Sequence, residues 1–333
     1  MSETVGPYRV VEELGRGATA RALLAVDSRT GAKVVLKVLQ EVSSPVHQKR
    51  FAREVKALEK LTHPCIVRVV ASGVEAGRPW YAMEHLESRP LDRVLRQRWV
   101  AEGASVSPAE ARQALGDVAS ALACAHAHKT VHRDLKPSNV LVDAGFSAML
   151  IDFGIARMLA EEITKLTRTG DFVGTPAYAA PEQFEREVAD YRTDVYAFGL
   201  LAYEVMTGKL PFAELAPMEM IRKRSHDPIA PPGSLNPVVP PGLDRVVLHC
   251  LEPDPDARYQ TMGDVIADME LAFTGGKPRA QPAARRPAPA VAAVRAPSPA
   301  SPARVALVAA ATAIVGGLFV WRAFDAPAAP DRR

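Results

Sequence analysis

The sequence has 333 residues, of which 48% are hydrophobic and 24% are charged. These values exclude a mostly disordered or fibrous chain, and the length predicts two lobes or domains around a large core. The net charge of +3 hides an asymmetry, because residues 275–333 carry a balance of +7 and residues 1–274 a balance of −4. A slightly acidic folded part argues against nucleic acid as a partner.

Three cysteines, Cys65, Cys124 and Cys250, are spread along the chain without the spacing of a metal site. Such sparse use of cysteine fits a reducing compartment. Residues 1–10 contain no apolar run behind basic residues, so no signal peptide is predicted. The folded part is therefore expected in the cytoplasm.

The N-terminal part of the chain, from about residue 8 to residue 85, is predicted to be a small β-rich lobe. Apolar runs separated by glycine-containing turns are typical of antiparallel strands. A helix is predicted between Val46 and Leu61, because Phe51, Val55 and Leu58 recur at helical spacing. The predicted strands are Tyr8–Val11, Ala22–Val26, Val34–Leu39, Ile66–Val70 and Trp80–Met83.

A larger, mainly helical lobe is predicted for about residues 86–272, with long helices at Pro108–His128 and Thr193–Met206. The two lobes together form a bilobal α+β architecture over residues 8–272. Residues 275–304 then contain seven prolines, ten alanines and six basic residues but no acidic residue. This composition predicts a disordered, semi-extended linker.

Residues 305–321 carry no charge and are followed by a short tail, residues 322–333. As a helix this segment would be about 26 Å long, slightly short of the roughly 30 Å hydrocarbon layer. We predict a single-pass transmembrane helix in the cell membrane, with the basic linker keeping the two lobes cytoplasmic. Arg322, Arg332 and Arg333 weaken this orientation, and a soluble protein with a disordered tail is the alternative.

Two glycines, Gly15 and Gly17, lie between two predicted strands rather than between a strand and a helix. This context argues against a dinucleotide-binding fold, and the P-loop pattern is absent from the chain. A simple hairpin turn explains these glycines when they are considered alone.

Lys37 and Glu54 are two charges placed on apolar faces. Lys37 follows an apolar strand, and Glu54 lies between Phe51 and Val55 on the predicted helix. Since a buried charge needs a partner, an ion pair between them is predicted. The pair is either purely structural or holds a lysine that orients phosphate groups.

A predicted hairpin brings a further group of polar residues together. The strands Val140–Val142 and Ala148–Ile151 are joined by a short turn, so residues before the first strand lie beside residues after the second. Carboxylate and amide oxygens suit Mg²⁺, and a spare carboxylate suits activation of a hydroxyl group. The converging residues are Asp134, Lys136, Asn139 and Asp152.

The order and spacing of these features resemble those of eukaryotic-like Ser/Thr protein kinases over residues 8–272. Each matching motif is weak alone, and the set is highly specific. The matching positions are Gly15, Gly17, Lys37, Glu54, His132-Arg133-Asp134, Asn139, Asp152-Phe153-Gly154, Gly174-Thr175-Pro176-Ala177-Tyr178, Ala180-Pro181-Glu182, Asp194-Val195-Tyr196-Ala197-Phe198-Gly199 and Arg258.

The resemblance implies a set of roles around ATP. Lys37, held by Glu54, would contact the α- and β-phosphates, and the segment Leu14-Gly15-Arg16-Gly17 would cover the nucleotide. The adenine would meet the backbone at Glu84 and Leu86, with Met83 as the gatekeeper. Ala20 and Ala22 depart from the usual glycine and valine, which leaves the affinity for ATP open.

The resemblance also implies the catalytic and metal-binding roles. Asp134 would accept the proton of the substrate hydroxyl, and Lys136 would neutralise charge on the transferred phosphoryl group. Asn139 and Asp152 would bind Mg²⁺, with Mn²⁺ as a possible substitute. Lys136 matches the serine/threonine branch, so protein Ser or Thr is the expected acceptor.

Candidate activation sites and a possible assembly complete the expectations from the sequence. Thr167 and Thr169 are candidate autophosphorylation sites in signal transduction, and a homodimer is a possible assembly. The alternatives are a pseudokinase scaffold, which binds nucleotide or partners without transfer, and a small-molecule phosphotransferase. The features that favour the active enzyme are Lys37, Asp134, Asn139 and Asp152, and all four are present.

Overall fold

The computed structural model describes residues 3–17, 20–39, 45–101, 103–154, 176–185 and 190–279. The chain divides into two compact units, residues 1–284 and 285–333. The predicted transmembrane segment, the tail, most of the linker and both candidate phosphorylation sites, Thr167 and Thr169, lie outside the described residues. Within the described part of the chain, no helix has the length and apolar character needed to cross a membrane.

The N-terminal lobe is a six-stranded antiparallel sheet with one long helix. The strands are β1 Thr4–Val5, β2 Tyr8–Arg16, β3 Ala20–Asp27, β4 Lys33–Leu39, β5 Val69–Glu75 and β6 Arg78–Glu84, and the helix is α1 Pro45–Leu58. The strand order in the sheet is β1-β2-β3-β4-β6-β5.

Side chains of strand β6 belong to two different hydrophobic cores, because successive side chains of a strand point to opposite faces of the sheet. Trp80 and Ala82 join a small core on one face of the sheet, where Tyr8 packs edge-on against Trp80. Tyr81 and Met83 point to the opposite face and join the core that contains α1. This alternation places Tyr81 and Met83 beside the interior of the cleft between the lobes.

The C-terminal lobe is mainly helical. Its helices are α2 Leu91–Arg96, α3 Pro108–Ala127, α4 Glu182–Glu185, α5 Tyr191–Thr207, α6 Pro217–His226, α7 Pro232–Leu235, α8 Leu243–Cys250 and α9 Met262–Phe273. The long helix α5 is buried at the centre of the lobe. A capping box between Ser107 and Glu110 starts α3, Asp190 caps the start of α5, and Gly208 ends α5 in a left-handed conformation.

A small second sheet of three strands, β7 Arg89–Pro90, β8 Val140–Val142 and β9 Ala148–Leu150, lies in the C-terminal lobe. The predicted hairpin is present, since β8 and β9 pair in antiparallel register. Its turn is closed by Asp143, whose Oδ1 accepts hydrogen bonds from the backbone amides of Gly145 and Ser147.

Two local features differ from the sequence-based expectation. The strand predicted at Ile66–Val70 begins at Val69, because Ile66 instead forms an isolated bridge with Leu150 at the junction of the lobes. Strand β1 was not predicted, since two residues beside Gly6 and Pro7 give no periodicity. The bilobal kinase-like architecture itself is confirmed.

Candidate active site

The hairpin β8–β9 brings three of the predicted site residues to one end. Asn139 Nδ2 donates to the Asp134 backbone oxygen at 2.7 Å and to Asp134 Oδ2 at 3.0 Å. Lys136 Nζ lies 2.7 Å from the same Oδ2. The Asp134 and Lys136 side chains are each 20% exposed, so the carboxylate is fixed but still reaches the cleft.

The loop that carries Asp134 is braced by a buried carboxylate on α5. Asp194, whose side chain is 1% exposed, accepts hydrogen bonds from the backbone amides of His132 at 2.8 Å and Arg133 at 2.9 Å. Its Oδ2 also lies 2.8 Å from His126 Nε2. Arg133 has a positive φ of 66°, so the brace supports a strained loop conformation.

His132 links the two ends of the hairpin. Its Nδ1 accepts the backbone amide of Asp134 at 3.3 Å, and its Nε2 lies 3.1 Å from the backbone oxygen of Ile151. Burial lowers the pKa of His132, and this bonding pattern fits a neutral ring protonated at Nε2. The ring packs against Phe153, with centroids 4.7 Å apart.

Lys37 contacts Asp152 rather than Glu54. Lys37 Nζ lies 2.5 Å from Asp152 Oδ2, whereas Glu54 pairs with Arg53 at 3.3 Å. The ion pair predicted between Lys37 and Glu54 is therefore not formed in the described structure. Helical periodicity places Glu54 near the apolar face of α1 but does not fix the distance of α1 from β4, and Asp152 lies within reach of the ammonium instead.

Tyr81 is a site residue that the sequence reasoning missed. Its hydroxyl donates to Asp152 Oδ1 at 3.2 Å, and the Tyr81 ring packs against Phe51. Burial is the main reason that the pKa of Tyr81 is raised well above its usual value, and the carboxylate of Asp152 adds to the shift. The sequence signal that could have predicted this role is the alternation of side chains along β6, which directs Tyr81 to the cleft side of the sheet.

A small, mainly apolar cavity lies beside Asp152. Met83, the predicted gatekeeper, lines it together with Leu58 of α1 and Phe153. Tyr81 and Asp152 are the polar residues among its ten lining residues. The polar contacts of Asp152 are thus made at the edge of an otherwise apolar space.

Residues 14–17, which are predicted to cover the nucleotide, are exposed to solvent. Leu14 is 47% exposed, and a Cβ added at Gly15 would meet nothing within 4 Å in the described structure. Packing within the chain therefore does not require glycine there, which fits close approach of a ligand. Arg16 pairs with Glu13 at 2.9 Å, and this contact is the main reason that the pKa of Glu13 is lowered to about 2.

The predicted hinge residues lie at the end of strand β6 and just after it. Glu84 ends the strand, and its carboxylate pairs with Arg68 at 2.6 Å on the surface. The backbone oxygen of Leu86 accepts the amide of Ser88 at 3.0 Å. The Leu86 amide donates to no acceptor within the described residues, so it is available to a ligand.

A second buried polar cluster, also missed from sequence, supports the segment around Tyr178. The Tyr178 hydroxyl donates a hydrogen bond to Glu204, and burial raises the pKa of Glu204. Arg224 is 1% exposed and donates to the backbone oxygens of Pro211 and Ala177. A buried arginine on a short amphipathic helix gives no sequence signal beyond its charge.

Comparison with known proteins identifies the class. Residues 8–268 match the protein kinase domain family, and the chain belongs to this family. The chain is 34% identical over 275 residues to the serine/threonine-protein kinase PknB of Mycolicibacterium smegmatis, covering 82% of this chain and 44% of that protein.

Two other relatives support the assignment. The DNA damage-responsive serine/threonine-protein kinase RqkA of Deinococcus radiodurans is 37% identical over 258 residues, covering 77% of this chain and 38% of that protein. The crystal structure of the Mycobacterium tuberculosis PknI kinase domain matches with a TM-score of 0.64 and 26% identity, covering 81% of this chain and 98% of that domain. This chain spans less than half the length of the curated relatives that it matches.

Proposed function

We propose that this protein is an active Ser/Thr protein kinase that transfers the γ-phosphate of ATP to protein Ser or Thr hydroxyls. The observation that carries the proposal is the hydrogen-bonded group of Asp134, Lys136 and Asn139. Asp152 comes shortly after strand β9, which pairs with the strand β8 that follows Asn139. Membership of the kinase family and the names of the relatives support the same activity. All the charged groups that phosphoryl transfer requires are present.

Asp134 is placed to orient the acceptor hydroxyl and take up its proton. Asn139 and Lys136 donate hydrogen bonds to its carboxylate. The backbone just before Asp134 is held by the His132 amide, which donates to Asp194. Lys136 carries the positive charge that compensates the transferred phosphoryl group. Fixed charges of this kind lower the barrier because they need not reorganise during the reaction.

Asn139 and Asp152 form a donor set that fits Mg²⁺, or Mn²⁺ in its place. Asn139 uses its nitrogen to bond Asp134, and its side-chain oxygen accepts no hydrogen bond within the described residues. Asp152 offers a 13% exposed carboxylate. Oxygen donors of these two types are those that hard divalent cations prefer. When bound, such a cation neutralises the charge that develops on the phosphates.

The nucleotide is proposed to lie between the segment 14–17 and the hinge at Glu84–Leu86. Lys37 is 22% exposed on the cleft side, where its ammonium can exchange Asp152 for a phosphate. For Glu54 to pair with Lys37 in that state, helix α1 would have to move towards strand β4. Acceptor identity tests the proposal: after incubation with labelled ATP and Mg²⁺, labelled Ser and Thr are expected in a hydrolysed protein substrate. Label confined to free nucleotide would contradict protein phosphorylation.

Autophosphorylation at Thr167 and Thr169 is part of the proposal. Both threonines lie between Asp152 and Glu182, and Arg133 next to Asp134 can pair with a phosphate. Mass spectrometry after incubation with ATP and Mg²⁺ is expected to find phosphate on one or both, with higher activity as the consequence. Unmodified peptides over this segment would contradict it.

The C-terminal region is proposed to anchor the kinase domain on the cytoplasmic side of the cell membrane, with homodimerisation as a route of activation. The uncharged segment 305–321 and the basic residues in 275–304 support this proposal. Each basic residue near an anionic surface contributes up to about 1 kcal/mol of attraction. Recovery in the membrane fraction, released by detergent but not by salt, is expected; full recovery in the soluble fraction would contradict it.

A further inference from the structure

The two oxygens of the Asp152 carboxylate are held by two different donors. Tyr81 donates to Oδ1 at 3.2 Å, and Lys37 lies 2.5 Å from Oδ2. Within the described structure these are the two hydrogen bonds that the carboxylate accepts. One donor is a flexible cation at the cleft, and the other is a rigid phenol in the protein interior.

Strand register explains why both donors reach the same carboxylate. Lys37 of β4 and Tyr81 of β6 are directly paired across the antiparallel ladder. Directly paired residues project their side chains from the same face of a sheet. The sheet therefore presents the two donors side by side, and each donor reaches a different oxygen of the Asp152 carboxylate.

The two donors differ in how easily they can leave. Lys37 is 22% exposed and can find phosphate or water oxygens as alternative acceptors. Tyr81 is 4% exposed, and the remaining residues lining the adjacent cavity, such as Leu58, Met83 and Phe153, are apolar. If Asp152 moved away, the Tyr81 hydroxyl would lose its acceptor in a place with little else to bond. The loss of that bond opposes movement of Asp152.

We propose that Tyr81 is a positioning residue that acts as a latch on Asp152, retaining the carboxylate at the cleft for metal binding after Lys37 exchanges to a phosphate. This inference rests on the proposed role of Asp152 as a metal ligand. Asp152 has a positive φ of 61°, and the segment is also held by the Gly154 amide, which donates to the His132 backbone oxygen at 2.9 Å. The latch stabilises this otherwise strained segment.

Tyr81→Phe tests the latch because it removes the hydroxyl and keeps the ring against Phe51. The matched control is Tyr8→Phe, which alters another buried tyrosine of the same sheet. Tyr8 packs on Trp80 in the small core, whereas Tyr81 belongs to the core on the opposite face of the sheet. Far-UV circular dichroism and thermal melting of both variants establish that each is folded before the measurements.

The first measurement uses hydrogen exchange of the nucleotide-free protein. In Tyr81→Phe, amides of residues 151–154 are expected to exchange about tenfold faster than in the wild type, the factor that corresponds to about 1.4 kcal/mol. Tyr8→Phe is expected to leave them unchanged. In an Asp152→Ala background, Tyr81→Phe should change the exchange by less than about twofold, because the two residues act through one bond. Unchanged exchange in Tyr81→Phe would overturn the latch.

The second measurement is a Mg²⁺ titration of binding to a non-hydrolysable ATP analogue. The half-saturating Mg²⁺ concentration is expected to rise about tenfold in Tyr81→Phe and to stay unchanged in Tyr8→Phe. An unchanged or lower half-saturating concentration would overturn the latch. If the wild type itself showed no Mg²⁺-dependent binding, the proposed function would fail, and the exchange experiment would still decide the latch.

Discussion

Arg258 and Glu182, which are 76 residues apart in sequence, form a buried bidentate ion pair with both Nη–Oε distances at 2.8 Å. The Arg258 side chain is 0% exposed and that of Glu182 is 10% exposed. Arg258 also donates to backbone oxygens of Glu252, Arg192 and Pro253. The pair ties the start of α4 to the loop before α9.

Removing one partner of this pair is predicted to be strongly destabilising. Glu182→Gln or Arg258→Ala should lower the free energy of unfolding by about 3–5 kcal/mol, because the remaining charge is buried without its counterion. Arg112→Ala, which breaks an ion pair with Glu270 whose side chains are 47% and 43% exposed, should cost at most about 1 kcal/mol. Urea denaturation followed by circular dichroism measures both, and equal losses would contradict the burial argument.

Two glycines in long helices are predicted to respond in opposite directions to alanine. A Cβ at Gly199 in α5 would lie 2.8 Å from Cys250 Cβ and 3.0 Å from Leu251 Cδ2, whereas a Cβ at Gly116 in α3 would meet nothing within 4 Å. Gly199→Ala should therefore cost about 1–3 kcal/mol by overpacking. Gly116→Ala should stabilise by about 0.5–1 kcal/mol, since alanine favours a helix. Thermal melting decides, and a stabilised Gly199→Ala would refute the close packing of α5 on α8.

Acidification is predicted to weaken the fold through His132. Because burial lowers its pKa in the folded protein, the unfolded chain takes up the proton first as pH falls through its unperturbed value of about 6.5. The stability that the neutral ring contributes is thus fully present above that pH and is lost progressively below it, by up to about 1.4 kcal/mol per pH unit.

His132→Phe isolates this contribution. Between pH 7.5 and 5.5, the free energy of unfolding should fall more steeply in the wild type than in the variant. His249, whose pKa is also lowered by burial, contributes with the same sign to both proteins and so cancels. Parallel pH profiles from urea titrations would show that His132 is not held neutral.

The sequence predicted that Asp134, Lys136 and Asn139 lie together, and their side chains are joined by hydrogen bonds, because a short hairpin leaves little freedom to the residues at its ends. It also predicted the two lobes, since the hydrophobic period changes from strands to helices along the chain. Contacts that depend on how a helix or strand docks were not predictable in this way. The contacts of Lys37 and Tyr81 with Asp152 join residues 115 and 71 positions apart.

The buried cluster around Glu204 and Arg224 shows a second limit of sequence reasoning. Composition and periodicity favour exposure of charged residues, yet Arg224 is almost fully buried and bonds backbone oxygens. Only the packed structure shows that these oxygens converge on one point. Residues whose role depends on the backbone of distant segments are therefore the ones that sequence motifs overlook.

Single-turnover transfer of labelled phosphate by the wild type and by Asp134→Asn tests the account most directly. Both proteins should bind a Mg²⁺–ATP analogue with similar affinity, because Asp134 contacts the acceptor side of the proposed site. The wild type should label protein Ser and Thr, and the variant should transfer at least about a hundredfold more slowly, as expected when a general base is lost. Equal transfer rates in the two proteins would contradict the assignment of Asp134 as the catalytic base.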